Sequence, residues 1–139
     1  MYGVVTRNAE ELEWSAFDAG FYEVKDVTGR AAAPEPAAVN MVSAFGDNAA
    51  VGDDPSMAAV DAEGRPATRD RPYFDWSYVC PTHDRYREGL LEIVDDCVAV
   101  RPDLRLDDVG FPRDGYCRCE RCDRRFAESE FADREDWRA

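Results

Sequence analysis

Lysine is almost missing from this sequence. Lys25 stands alone beside sixteen arginines, and the 17 basic residues face 30 acidic ones, for a net charge of −13. So few cations argue against nucleic acid as a partner, because phosphate binding needs a basic patch. The most arginine-rich stretch, Arg113 to Arg125, is interleaved with Asp114, Glu120 and Asp123, which offset it. Long apolar runs are also missing. None approaches the roughly 20 residues that span a bilayer, so no membrane association is expected. The start, MYGVVTRNAEELEW, has no basic segment followed by an apolar one. It does not resemble a signal peptide, and the cytoplasm is the default location. No internal repeat is visible at the periods of solenoid proteins.

What is present is carboxylate, with eighteen Asp to twelve Glu spread along the whole chain. An acidic surface nearly free of lysine fits a protein of a salt-rich cytoplasm, kept soluble by hydrated carboxylates; an ordinary acidic protein is the alternative. With 139 residues, 45% of them hydrophobic, the chain suffices for one modest domain, 1–139, with its own core. In a reducing compartment the five cysteines are expected as thiols or metal ligands rather than disulfides.

Periodicity predicts a strand–helix–strand opening. YGVVT (2–6) is short, apolar and β-branched. Asn8 caps a predicted helix over 9–19, with Glu10, Glu11 and Glu13 in its first turns and Gly20 as its stop. FYEVKDV (21–27) alternates as a second strand. Such a unit belongs to a parallel sheet. Residues 29–36 are rich in Ala and Pro and read as a loop. VNMVSAF (39–45) is a third strand. Residues 46–79 form a long irregular segment, a kind that is usually functional or mobile. It ends in the aromatic cluster Tyr73, Phe74, Trp76, Tyr78. After Pro81, Thr82 caps a helix to about Val100 whose apolar stripe is Tyr86, Leu90, Ile93, Val94 and Cys97. Pro102 stops it, and LRLDDVGF (104–111) is a fourth strand carrying Asp107 and Asp108. The remainder, from Asp123, is charged and partly helical, anchored by Phe126, Phe131 and Trp137.

Three of the five cysteines lie within six residues, in GYCRCERC: Cys117, Cys119 and Cys122. Cys119 and Cys122 have the CxxC spacing that reaches one ion from a single turn, and Cys117 adds a third thiolate. Zinc takes four such ligands in a tetrahedron. The fourth candidates are Cys80 and the only histidine, His83, both in VCPTHD. Cys80 is favoured, because soft ligands cluster and His83 falls at the helix start. Four thiolates would leave no open position, so the Zn2+ would be structural. Unliganded thiols, or a Cys119–Cys122 redox pair, are the other readings. Cys97 lies on a helix stripe and reads as core.

The stretches YVCPTHDRYREGLLEIV and GYCRCERCDRRF resemble the zinc-containing β-galactosidases of glycoside hydrolase family 42 and related, less characterised glycosidase barrels. Cys80, Pro81, Tyr86, Arg87, Cys117, Cys119, Cys122 and Phe126 match in order, over roughly Tyr73 to Phe126. The resemblance implies part of a (β/α)8 barrel, with zinc near the C-terminal face where catalytic groups sit. It also implies O-glycosyl hydrolysis by two carboxylates and a carbohydrate substrate. The family's acid/base is a glutamate after an asparagine at the end of the fourth strand. Here Val109 falls nearest that glutamate, so Asp108, with Asp107, is the candidate replacement. The pair could instead bind a sugar or second metal, or merely end the strand. Trp76 and Tyr78 are candidates to stack against sugar, or core. A full barrel needs about 250 residues, and this chain supplies about four strands. A half-barrel, weakly active or inactive alone and open to self-association or to a missing half, is therefore expected. The alternative is a zinc-stabilised protein-interaction module without catalysis.

Overall fold

The computed structural model describes residues 1–9, 16–30, 32–112 and 115–133. Its elements run β1 (Gly3–Thr6), β2 (Ala19–Asp26), β3 (Gly29–Arg30), β4 (Val39–Ser43), α1 (Asn48–Asp53), a 3-10 turn (Pro55–Met57), α2 (Asp84–Val100), β5 (Leu104–Asp107) and α3 (Glu120–Ala127). Four strands lie side by side in chain order, β1-β2-β4-β5, and every pair in that row is parallel. The chain is thus an α/β domain built on a parallel sheet, as the alternation of apolar strands and a long amphipathic helix implies. No helix among the described residues is long and apolar enough to cross a membrane.

The central strands are buried where the edge strands are not. Val24 on β2 and Val42 on β4 are fully buried and pack with Tyr22, Ala38 and Cys97. Leu90 and Ile93 of α2 press onto this face. Each such aliphatic contributes roughly 1.5–3 kcal/mol by leaving water. Cys97 is core, as its helix stripe implies.

Several boundaries differ from the sequence expectation. Most of the helix expected over 9–19 falls on residues 10–15, outside the described residues. Its expected last residues are not helical: Ala19 and Gly20 already pair with Gly3 and Val4 as the start of β2. Gly20 is therefore a strand residue, not a helix stop. The loop at 29–36 begins with β3, which turns back antiparallel onto Lys25 and Asp26. The third and fourth strands are shorter than expected, ending at Ser43 and Asp107. The cap of α2 is His83, whose ring accepts from the Tyr86 amide, and not Thr82. The final helix, Glu120–Ala127, begins within the cysteine cluster, and Trp137 lies outside the described residues.

The segment 46–79 is the largest correction. It holds α1, capped by the Asp47 carboxylate, and the 3-10 turn, capped by Asp54. The rest is cross-braced by amide bonds from Ala59 to Tyr78, Ala67 to Ala59, Tyr78 to Ala67 and Cys80 to Met57, all at 2.8–2.9 Å. Its Gly, Asp and Pro content conceals this order, because isolated bridges carry no hydrophobic period.

Candidate metal centre

The segment 46–79 delivers Cys80 to the cysteine cluster. Its amide bonds to Met57 and its carbonyl accepts from His83, so the residue is fixed on both sides. Cys117 is fixed likewise: the Val60 amide donates to its sulfur at 3.4 Å, and the next amide, Arg118, donates to the Val60 carbonyl at 2.7 Å. Cys119 is the N-cap of α3, and its sulfur accepts from the Cys122 amide at 3.5 Å. The CxxC spacing thus works as a helix start, where amides and the helix dipole favour thiolates.

The four sulfurs of Cys80, Cys117, Cys119 and Cys122 all lie within 4.8 Å of one another. Cys80 is 3.6 Å from Cys119 and 3.5 Å from Cys122. Four thiolate bonds of about 2.3 Å put sulfurs about 3.8 Å apart along a tetrahedral edge, so the residues fit a zinc-type ion. Hydrogen bonds from Cys117 first, and Cys122 next, hold Cys80 far below the ordinary thiol range. The same contacts, Cys117 and then Cys80, push Cys122 up. Sulfurs this close share protons, and a cation of charge two takes the protons' place. Cys80 rather than His83 completes the quartet, because its sulfur lies within 4.8 Å of the other three and the His83 ring is not part of that cluster. Three of the four cysteines are buried, with Ala59, Ala67 and Tyr116 around them. Arg71 donates to the Tyr116 hydroxyl at 2.8 Å, closing the edge of this small core.

The second group of sequence candidates stands apart from the sulfurs, at the C-terminal end of the sheet. Asp107 is exposed and Asp108 half-buried. Asp108 takes a left-handed backbone, φ 52°. Outside glycine such a conformation is uncommon, and Asp is among the residues that tolerate it. There its carboxylate accepts from the Ser43 hydroxyl at 2.6 Å. A cavity of about 300 Å3 opens beside it, lined among others by Arg7, Glu23, Ser43, Trp76, Asp107 and Asp108. Arg7 bridges the carboxylates of Glu23 and Asp26. Trp76 reaches this cavity, and its ring centroid is 6.0 Å from that of Tyr78, whose ring packs instead toward Phe74 and the cysteine core. Burial, and then Asp108, push the Tyr78 hydroxyl up.

Gly46 is where these groups converge. A Cβ there would lie 2.8 Å from Asp108 Oδ2, 2.8 Å from Trp76 Nε1 and 3.0 Å from Ser43 Oγ. Gly46→Ala is expected to expel Asp108 from Ser43 or tilt the indole, at about 1–3 kcal/mol, the usual cost of overpacking. A denaturant melt and a shifted tryptophan emission check this; a variant with wild-type values for both would contradict it.

Sequence reasoning missed the polar centre under this cavity. Lys25 Nζ is buried and meets Asp47 Oδ2 at 3.0 Å and the Ser43 carbonyl at 2.8 Å. The Tyr86 hydroxyl donates to the Ala44 carbonyl at 2.7 Å and lies 3.2 Å from the same Asp47 oxygen. Burial lowers the Lys25 pKa, with Asp47 opposing. One signal was available: the sole lysine in a chain of arginines.

Compared with known proteins, the chain matches no family model, no curated protein and no solved structure. Fold and site define a class all the same: a small parallel α/β domain with a four-cysteine cluster of metal-binding geometry.

Proposed function

We propose that the chain is part of a glycoside-hydrolase-like barrel, clamped by a structural zinc ion and directed at carbohydrate. One observation carries this reading. Four parallel strands follow one another in chain order, and the last ends in Asp107 and Asp108 beside an open cavity. Ligands of parallel α/β folds bind at the carboxyl ends of the strands. Asp108, held by Ser43, is the candidate acid/base. Asp107 is the second carboxylate, and Trp76 flanks the site, with Tyr78 packed behind it. The zinc ion would be held by Cys80, Cys117, Cys119 and Cys122 and would supply no chemistry, only rigidity. Further strands, from the same or another polypeptide, would complete the barrel and contribute the nucleophile. The acidic surface suits a salt-rich cytoplasm.

The test is titration of the zinc-loaded chain, in molar salt, with a panel of simple sugars and aryl glycosides. Weak binding, reduced severalfold or more by Asp108→Asn, is expected, with turnover slight or undetectable. Failure of every sugar to bind would remove the carbohydrate reading. A second reading, contact with another polypeptide, is favoured by the exposed Leu106, Val109 and Phe111 at the outer edge of the sheet. A chain that binds no sugar yet associates through β5 would support it.

A further inference from the structure

Thr82 lies between the two segments that carry the cysteines, and it does not serve as the helix cap. Its hydroxyl oxygen is 3.2 Å from the Cys80 sulfur and 3.2 Å from the Cys122 sulfur. On its other side the Arg121 Nε donates to the same oxygen at 3.3 Å. We propose that Thr82, oriented by Arg121, is a hydrogen-bond donor to the metal-bearing thiolates and governs how firmly the site retains its ion. The inference rests on the metal reading of the four cysteines and adds to it two residues outside the quartet.

The direction of the bonds follows from proton counting. A thiol can donate or accept, but a thiolate bound to a metal ion can only accept. Guanidinium can only donate. With Arg121 donating into the Thr82 oxygen, the single hydroxyl proton is left to point at sulfur, where it serves Cys80 and Cys122 in alternation. Four thiolates on a doubly charged cation carry a net charge of about −2. Donors around the sulfurs spread that charge, and the guanidinium supplies a positive charge one hydroxyl away. Groups that hydrogen-bond metal ligands typically change affinity about 10–100-fold when removed.

Position strengthens the case. Thr82 and Cys122 form part of the wall of a cavity of about 210 Å3, which Arg125, Ser129 and three phenylalanines also line. A chelator or water entering that cavity meets the Thr82 hydroxyl beside the Cys122 sulfur. Cys117 and Cys119 have backbone amides for donors, from Val60 and Cys122. Cys80 has the Thr82 amide as well as its hydroxyl, and Cys122 has the hydroxyl.

The experiment is a chelator challenge of the zinc-loaded full chain, paired with the sulfur-to-cobalt charge-transfer spectrum of the cobalt(II) form. Thr82→Val keeps the shape and removes the hydroxyl. It should speed metal loss about tenfold or more and shift the charge-transfer band. Thr82→Ser keeps the hydroxyl and should stay close to the wild type in both. Arg121→Gln should speed loss less, and its effect should shrink in the Thr82→Val background, because its orienting part acts through the hydroxyl. Far-ultraviolet circular dichroism of each loaded variant checks that it is folded. A Thr82→Val chain with the wild-type rate and spectrum overturns the proposal, as does an Arg121→Gln effect that adds in full to it. A wild-type chain that takes up no zinc or cobalt overturns the metal reading and this inference together. One ion per chain with Thr82 irrelevant overturns this inference alone.

Discussion

Cys80→Ser abolishes stoichiometric zinc binding and unravels the part of the chain packed around the cysteines. The expectation follows from how small that cluster is, since Val51, Met57, Ala58 and Val79 pack instead with Tyr86 of α2. The cluster packs Cys80, Cys117 and Cys122 against two alanines and Tyr116, with Val60, Phe74, Tyr78 and Cys119 at its margin. The segments it joins, 46–79 and 115–127, have no strand in the main sheet. Structural zinc contributes apparent binding energies of about 10–16 kcal/mol in small domains, against total stabilities of about 5–15 kcal/mol. Losing a ligand therefore removes as much as the domain has to give. Affinity falls with acidity, because the ion displaces thiol protons and a falling pH returns them. Metal analysis of the purified chain should give one zinc per chain in the wild type and a small fraction of that in the variant. Chelator should lower the melting temperature of the wild type and leave the variant unchanged. A wild-type chain that melts at the same temperature with and without chelator would refute the clamp.

Lys25→Met destabilises the sheet by about 3–5 kcal/mol, the cost of leaving one member of a buried ion pair alone. Asp47 is itself buried and caps α1. Without the ammonium its carboxylate keeps only the Ala50 amide and the Tyr86 hydroxyl. Methionine fills the space but offers no donor to the Ser43 and Gly46 carbonyls that Lys25 now serves. The effect should be non-additive: Asp47→Asn in the same chain removes the stranded charge and should recover part of the loss. Denaturant melts of Lys25→Met, of Asp47→Asn and of the double variant at constant zinc and salt measure this. A Lys25→Met chain within 1 kcal/mol of the wild type would mean that the pair is idle, as exposed pairs often are (about 0–1 kcal/mol). Arg30–Asp96, more than a third exposed on both sides, is such a pair and a suitable control.

The two expectations divide the molecule. One concerns a clamp that joins loops; the other concerns a polar centre below the strand ends. Lys25 is tied to the Asp108 site, since the Ser43 and Gly46 carbonyls it bonds belong to the turn whose Ser43 hydroxyl holds Asp108. Damage there should reach Asp108 without touching it.

How much of this was legible in advance depended on the kind of signal. The β-branched runs around Val4, Val24 and Val42 marked three strands, because apolar content and alternation are local. The stripe from Tyr86 to Cys97 marked α2 for the same reason. Three members of the cysteine quartet were legible from spacing alone, since CxCxxC already dictates a turn with sulfurs on one side. The end of the helix expected at Gly20 was misjudged. Glycine stops helices in general, but here the chain gains more by pairing Ala19 and Gly20 with β1.

The sequence by itself determined the four parallel strands, the long helix and three of the four sulfurs, because each depends on residues close in the chain. The tertiary structure alone decided three matters. It decided between Cys80 and His83 by bringing the Cys80 sulfur, and not the His83 ring, within 4.8 Å of the other three. It turned Lys25 inward, since the register of β2 against β4 shifts between Glu23 and Lys25 and breaks the alternation that would have foretold its side. And it brought Ser43, Gly46, Trp76 and Asp108 together across 65 residues of chain, where no spacing rule applies and only the path of the backbone sets the distance.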